Sequence, residues 1–302
     1  AARLLGLRAL AAACLIDLDR RADARAMLSP DAPEAARWDP GEDRPKFLQA
    51  RAKAHELLAL IAIHEGAAAE SREHREAALR VCQAWHRADP KDPYCQATLG
   101  DALLRAAAAR GATPDAGPVF EEAIARLGEL VAAHPDRGPW RAKLGEAWVG
   151  LGRGQLALGR AADAHHSFGE AVRVLAPLCE GGLPQERAYP YQLLWAYTAD
   201  AWALAVLGRN DEAVRKAEEA TALGERMLAR YPASPVLNYG VAAAYNRRSL
   251  AAQQTKNWAA ARAANRRALD LFAGIESLDA LTHEERAYAY FDASRLAEAI
   301  DA

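Results

Sequence analysis

The stretch from Trp148 to Pro177, WVGLGRGQLALGRAADAHHSFGEAVRVLAP, decides the fold. Trp148, Leu151 and Gly152 fall on one helical turn, and Ala164, Phe168 and Ala171 recur at spacings that keep one helix face apolar. Gly159 stands between these two segments, and Pro177 follows the second. Glycine supplies the backbone freedom of a tight turn; proline stops a helix because it lacks an amide hydrogen and clashes with the preceding turn. The stretch reads as two helices folded back on each other, with the small Ala171 letting them approach closely.

The pattern repeats. Ala171 has counterparts in Ala78, Ala123, Ala220 and Ala268, and successive anchors stand 45, 48, 49 and 48 residues apart. Twelve residues before each anchor come Gly66, Gly111, Gly159, Gly208 and Lys256, and seven before come Ser71, Ala116, Ala164, Ala213 and Ala261. Pro90, Pro135 and Pro232 stand twelve after the first, second and fourth anchors. A unit that opens, closes and ends the same way each time predicts a helical array in which every hairpin packs on its neighbours.

The arrangement W-x2-L-G…G…A-x3-F-x2-A…P, carried by Trp148, Leu151, Gly152, Gly159, Ala164, Phe168, Ala171 and Pro177, resembles the tetratricopeptide (TPR) repeat family. The resemblance extends over roughly 45–300 and is nearly complete in 148–177. It implies an all-α fold, a right-handed superhelical solenoid of antiparallel helix hairpins, whose concave groove binds a peptide or protein segment. The period exceeds the roughly 34 residues of an ordinary TPR, so each helix is expected to be longer by a turn or two; a HEAT-like array, with a period of about 40–47, is the alternative architecture. Asp200 and Arg248 depart from the pattern where Leu151 has its leucine, which leaves the hairpin register of the last two units open. Long-period, alanine- and arginine-rich arrays with HPD…WRxxLG joints are similar to those attached to bacterial Ser/Thr kinases and other multidomain signalling proteins. That likeness implies a second functional reading, a regulatory or sensor arm that gates a kinase or protease domain lying outside this segment.

Composition agrees with an all-α protein: 51% of the 302 residues are hydrophobic, 26% are charged, and alanine dominates. Lys and Arg number 38 against 40 Asp and Glu, a net charge of −2, so no basic excess exists to neutralise a nucleic-acid backbone. Cys14, Cys82, Cys95 and Cys179 form no CxxC and read as small apolar residues of a reducing compartment, which points to the cytoplasm. No stretch reaches the roughly 18 apolar residues that span a bilayer. The N-terminal AARLLGLRALAAACLIDL reads as a repeat helix, since Arg8 interrupts the apolar run and Asp17 and Asp19 follow it; a targeting remnant is the alternative. The missing initiator Met and the ending at Ala302 suggest a segment of a longer protein.

In chain order, residues 1–45 form a leading hairpin and a proline-rich connection, 46–280 an array of about five long hairpins, and 281–302 a C-terminal capping helix. The last begins at a capping box, Thr282 to Glu285. GLGRGQ (150–155) approaches a dinucleotide fingerprint, but it ends in Gln155 and no strand precedes it, so Gly150, Gly152 and Gly154 read as close helix packing or a local kink.

Tyr191, Trp195, Thr198 and Trp202, spaced i, i+4, i+7 and i+11, lie on one helix face. The TPR resemblance places Trp195, Thr198 and Trp202 where first-helix residues line the groove; the alternative is that the stripe packs against the neighbouring first helix. Asn246 and Gln253 supply amides able to bond a peptide backbone. No HExxH, GxSxG, GxxxxGK[ST] or kinase signature occurs, and the adjacent His165 and His166 point about 100° apart on a helix. The expectation is therefore a binding module with no catalytic residues, metal or cofactor, whose partner is a protein or peptide rather than nucleic acid or membrane.

Overall fold

Helices begin and end at the punctuation residues. The computed structural model describes residues 2–17, 19–28, 44–180, 188–231, 234–275, 289, 292 and 293. Along them run α1 (Ala2–Asp17), α2 (Arg21–Leu28), α3 (Arg44–His64), α4 (Ala68–Ala88), α5 (Pro93–Arg110), α6 (Ala116–Ala133), α7 (Gly138–Ala157) and α8 (Ala161–Leu175). After a 3-10 turn at Ala176–Cys179 follow α9 (Ala188–Val206), α10 (Asn210–Arg230), α11 (Pro235–Gln254) and α12 (Trp258–Ala273). Among the described residues there is no strand. From α3 onward the helices run 15 to 21 residues, the lengthening that the long period predicts.

The hairpin turns share one device. Gly66, Gly159 and Gly208 have φ of 74°, 76° and 73°, and Lys256, which takes glycine's place in the fifth turn, is held at 59°. Asp19, where LDRRADARAML (18–28) parallels LGRAADAHHSF (158–168), stands at 58°. An L-residue enters this left-handed region at a cost of roughly 1–2 kcal/mol, so the geometry of the turn, not the residue, sets the conformation there. First helices start at side-chain caps: Asp92 accepts from the Tyr94 amide at 2.9 Å ahead of Pro93, and Ser234 accepts from Leu237 ahead of Pro235.

All five anchors are buried, Ala78 at 2% exposure and Ala123, Ala171, Ala220 and Ala268 at 0%. Phe168 is also fully buried, and a Cβ added to Gly152 would lie 2.6 Å from its ring, so this glycine is the close approach of α7 to α8. The open register of the last units is resolved by burial. Asp200, at 1% exposure, fills the place held by Leu58, Leu103 and Leu151. Its carboxylate meets His165 Nδ1 at 2.6 Å, while Arg248 reaches Thr221 at 3.3 Å and Glu218 at 3.5 Å. Polar pairs with the preceding second helix thus replace a leucine.

The packing divides into two compact units, residues 1–143 and 144–302, with the boundary inside α7. In the first, α1 packs on α2 and α3, with Ala9, Ala12, Leu57 and Ile61 in its core. In the second, α9 packs on both α10 and α11, around Leu194, Leu223, Met227, Val241 and Phe272. Ala289 and Asp292 seat on the last hairpin: Asn265 donates to the Ala289 carbonyl at 2.8 Å, and Ser249 and Gln253 donate to Asp292 at 2.7 and 2.6 Å. The proline-rich connection at 29–43, Pro232 and the Thr282–Glu285 box lie outside the described residues.

Candidate functional site

A groove of about 890 Å³ opens in the first unit and is lined by α1, α3, α5 and the first two turns of α7. These are the first helices of successive hairpins, brought side by side because each second helix packs behind them. Along α3 the groove presents Lys46, Lys53 and Glu56; along α5, Tyr94 and Asp101; from α7, Trp140 and Lys143. Apolar floor comes from Ala50, Ala97 and Leu10, the last 67% exposed.

Tyr94 is 57% exposed and meets Trp140 edge-on, with ring centroids 5.8 Å apart; His134 meets the same Trp140 at 5.2 Å and the Arg137 guanidinium lies 5.7 Å from its ring centre. Asp101 is clasped by Lys143 at 2.7 Å and Arg105 at 2.8 Å. Burial alone would raise its carboxyl pKa, but Arg105 and Lys143 hold it below the ordinary carboxylate range, so Asp101 is a fixed negative charge. Lys53 approaches Glu56 at 3.5 Å with more than half of its side chain in solvent. An aromatic edge, an alanine floor and paired charges can hold an extended or helical segment; among the described residues no three His, Cys, Asp or Glu side chains are grouped to hold a metal ion.

Behind the groove, His55 and His74 face each other across α3 and α4, with Nδ1 atoms 3.3 Å apart and ring centroids 5.6 Å apart. Burial, then the neighbouring His74, Arg51 and Arg80, pushes His55 from 6.5 down to about 4. Burial and the surrounding charges thus favour the neutral form of the His55 ring. Cys82 and Cys95, fully buried, are pushed up by burial to about 12 and about 11, which leaves them as protonated packing groups.

The second unit places the aromatic stripe differently. Tyr191 meets Trp195 edge-on at 6.2 Å, Trp195 lies 5.8 Å from Tyr239 of α11, and the Arg247 guanidinium stacks 3.7 Å over Trp202. Thr198 is 3% exposed, its hydroxyl donating to the Leu194 carbonyl at 2.7 Å, and Asn246 is 1% exposed. The Gln253 amide is taken up by Ser249 and Asp292. Tyr191 also lines a smaller apolar recess of about 310 Å³ with Met227, Tyr231 and Leu237. The structure packs Trp195 against Tyr191 and Tyr239, sets Trp202 under Arg247, and buries Thr198 and Asn246.

Register nonetheless links the two units. Lys53, Thr98 and Trp195 each stand 25 residues before their anchor, and Glu56, Asp101, Thr198 and Asn246 each stand 22 before. In the first unit these positions line the groove; in the second, Trp195 packs against Tyr239 of α11, and Thr198 and Asn246 are buried. The sequence signal that finds Lys53, Glu56, Thr98 and Asp101 is thus the anchor spacing itself, read backwards from Ala78 and Ala123.

Among solved structures, BtubC (BKLC) from P. vanneervenii is 16% identical, with a TM-score of 0.57 over 84% of this chain and 91% of its own. The S. pombe nuclear import adaptor Nro1 is 13% identical, with a TM-score of 0.54 over 95% of this chain and 98% of its own. No family model and no curated protein matches the chain. The likeness establishes the fold, an all-α TPR-like array of helix hairpins. Among the described residues no helix is long and apolar enough to cross a membrane.

Proposed function

We propose that the chain is a non-catalytic interaction scaffold and that the groove of the first unit holds a peptide or protein segment of its partner. The observation that carries this reading is the groove's lining: exposed Tyr94 and Leu10 beside partly exposed lysines, contributed by four first helices. Solvent-exposed aromatics on a rigid helical floor are what binding hot spots are made of, because they offer large contact area for little loss of side-chain freedom. The likeness to arrays attached to bacterial Ser/Thr kinases, carried by the long period, the alanine- and arginine-rich composition and the HPD…WRxxLG joint, adds a context, a docking arm of a signalling protein in the cytoplasm.

Capture from lysate of the source cell, comparing wild type with Tyr94→Ser and with Trp202→Ser at equal folded content, tests the assignment. A partner lost with Tyr94→Ser and kept with Trp202→Ser supports the groove of the first unit. The reverse pattern places binding on the aromatic stripe of α9 and refutes it.

A further inference from the structure

Resting on the groove reading above, we infer that the peptide segment held in the groove anchors itself by one aromatic side chain, set against Tyr94 and Thr98. The chain's own second unit carries the step. Tyr94, Tyr191 and Tyr239 each stand 29 residues before their anchor, and Thr98 and Trp195 each stand 25 before. On α9 the Trp195 indole lies 6.2 Å from Tyr191, one turn earlier, and 5.8 Å from Tyr239 on α11, so a tryptophan is held between two tyrosines of equal register. On α5 the same turn carries Tyr94 followed by Thr98 where α9 has the indole. Tyr94 is 57% exposed, while Tyr191 is partly buried. The groove opens at this place, along Tyr94, Ala97, Thr98 and Trp140. One unit supplies the ring from its own chain; the other leaves the place to a ligand.

The chemistry of the wall agrees. The Thr98 hydroxyl donates to the Tyr94 carbonyl at 2.7 Å, so its polar atom is already satisfied within α5. The carboxylates at the rim are engaged as well, Asp101 with Lys143 and Arg105 and Glu56 with Lys53, which leaves the apolar wall as the part of the lining with contact to give. Tyr94 and Trp140 meet edge-on with centroids 5.8 Å apart, and an incoming ring can join them in the same manner. An aliphatic side chain would bury area against this wall but gain none of the ring-on-ring attraction that aromatic pairs have beyond their area.

The test uses the full 302-residue chain. It is immobilised and panned with a displayed random-peptide library, and one enriched peptide is synthesised and titrated against wild type, Tyr94→Ser, Thr98→Trp and Thr98→Val. The expected result is enrichment of peptides that share an aromatic residue, whose replacement by leucine weakens binding at least about tenfold. Thr98→Trp writes the second unit's indole into the groove and should weaken the peptide by a similar factor, as should Tyr94→Ser; Thr98→Val keeps the residue small and should bind as wild type does. Circular dichroism and thermal unfolding establish that the variants are folded, and the exposed Tyr94→Ser carries the test should Thr98→Trp prove unstable. An aromatic peptide that binds a folded Thr98→Trp as tightly as wild type would overturn the placement of its ring. Peptides that lack an aromatic residue, or keep their affinity when it becomes leucine, yet weaken with Tyr94→Ser, would overturn the aromatic anchor while leaving the groove standing. If panning enriches nothing that weakens with Tyr94→Ser or Thr98→Trp, the groove reading falls as well.

Discussion

Two glycines on α7, two residues apart, should respond in opposite directions to the same substitution. At Gly154 an added Cβ meets nothing within 4 Å, so Gly154→Ala should stabilise the protein by the ordinary helix preference, about 0.5–1 kcal/mol. At Gly152 the new methyl would lie 2.6 Å from Phe168 Cε1 and 2.8 Å from Cδ1. Carbon atoms rest at roughly 3.5–4.0 Å, so the fully buried ring must retreat by about 1 Å into packed surroundings, a strain of about 1–3 kcal/mol that outweighs the helix gain. Gly152→Ala should therefore destabilise by about 1–2 kcal/mol. Shortening the opposing side chain should return part of this, so Gly152→Ala/Phe168→Leu should be less damaging than the sum of its single changes, a coupling of about 1 kcal/mol. Urea unfolding followed by circular dichroism measures the wild type and the four variants, Phe168→Leu included. Stabilisation by both alanines would show that α7 and α8 do not approach as described, and additivity in the cycle would show that the ring does not fill the space facing Gly152.

Lys256→Gly should relieve the left-handed strain in the fifth turn and stabilise by about 0.5–1 kcal/mol, whereas Gly159→Ala should destabilise by a similar amount; thermal unfolding separates the signs. His55, held near 4 against 6.5 in the unfolded chain, contributes stability that is complete above pH 6.5 and lost as pH falls towards 4. The full linkage is about 3 kcal/mol, and screening of this half-buried ring trims it to about 1–2 kcal/mol; His55→Gln should flatten the acid limb of a stability-versus-pH curve. Trp202→Ser, which removes the ring under Arg247 and the packing of α9 on α11, should lower the melting temperature by several degrees, and an unchanged melting temperature would show that the ring is not structural.

The hairpins were legible because their signals are local and mechanical. A left-handed turn residue, a small residue five later and an anchor seven beyond that recur on spacing alone, and the spacing located the fifth turn even where Lys256 replaces glycine. The groove was not legible from aromatic content, because i, i+4 and i+7 describe a helix face without saying what covers it. Trp195 and Lys53 share a register position, and only the bulk contributed by α11 separates a packed stripe from an open wall. The partners of Asp200 and Arg248 were equally hidden. His165 lies 35 residues from Asp200 and Glu218 lies 30 from Arg248, and no local pattern announces pairs at that separation.

Those two pairs have a consequence for how an array of near-copies avoids mistaking one copy for another. Five hairpins with interchangeable alanine seams invite exchange of neighbours during folding and slippage by a whole unit, the usual failures of repeat chains. A leucine seam tolerates such substitution. Asp200 does not, since away from His165 its buried carboxylate is stranded, and Arg248 is similarly addressed to Thr221 and Glu218. The polar pairs act as serial numbers: they give up some cohesion and favour one order of the α7–α8, α9–α10 and α11–α12 hairpins.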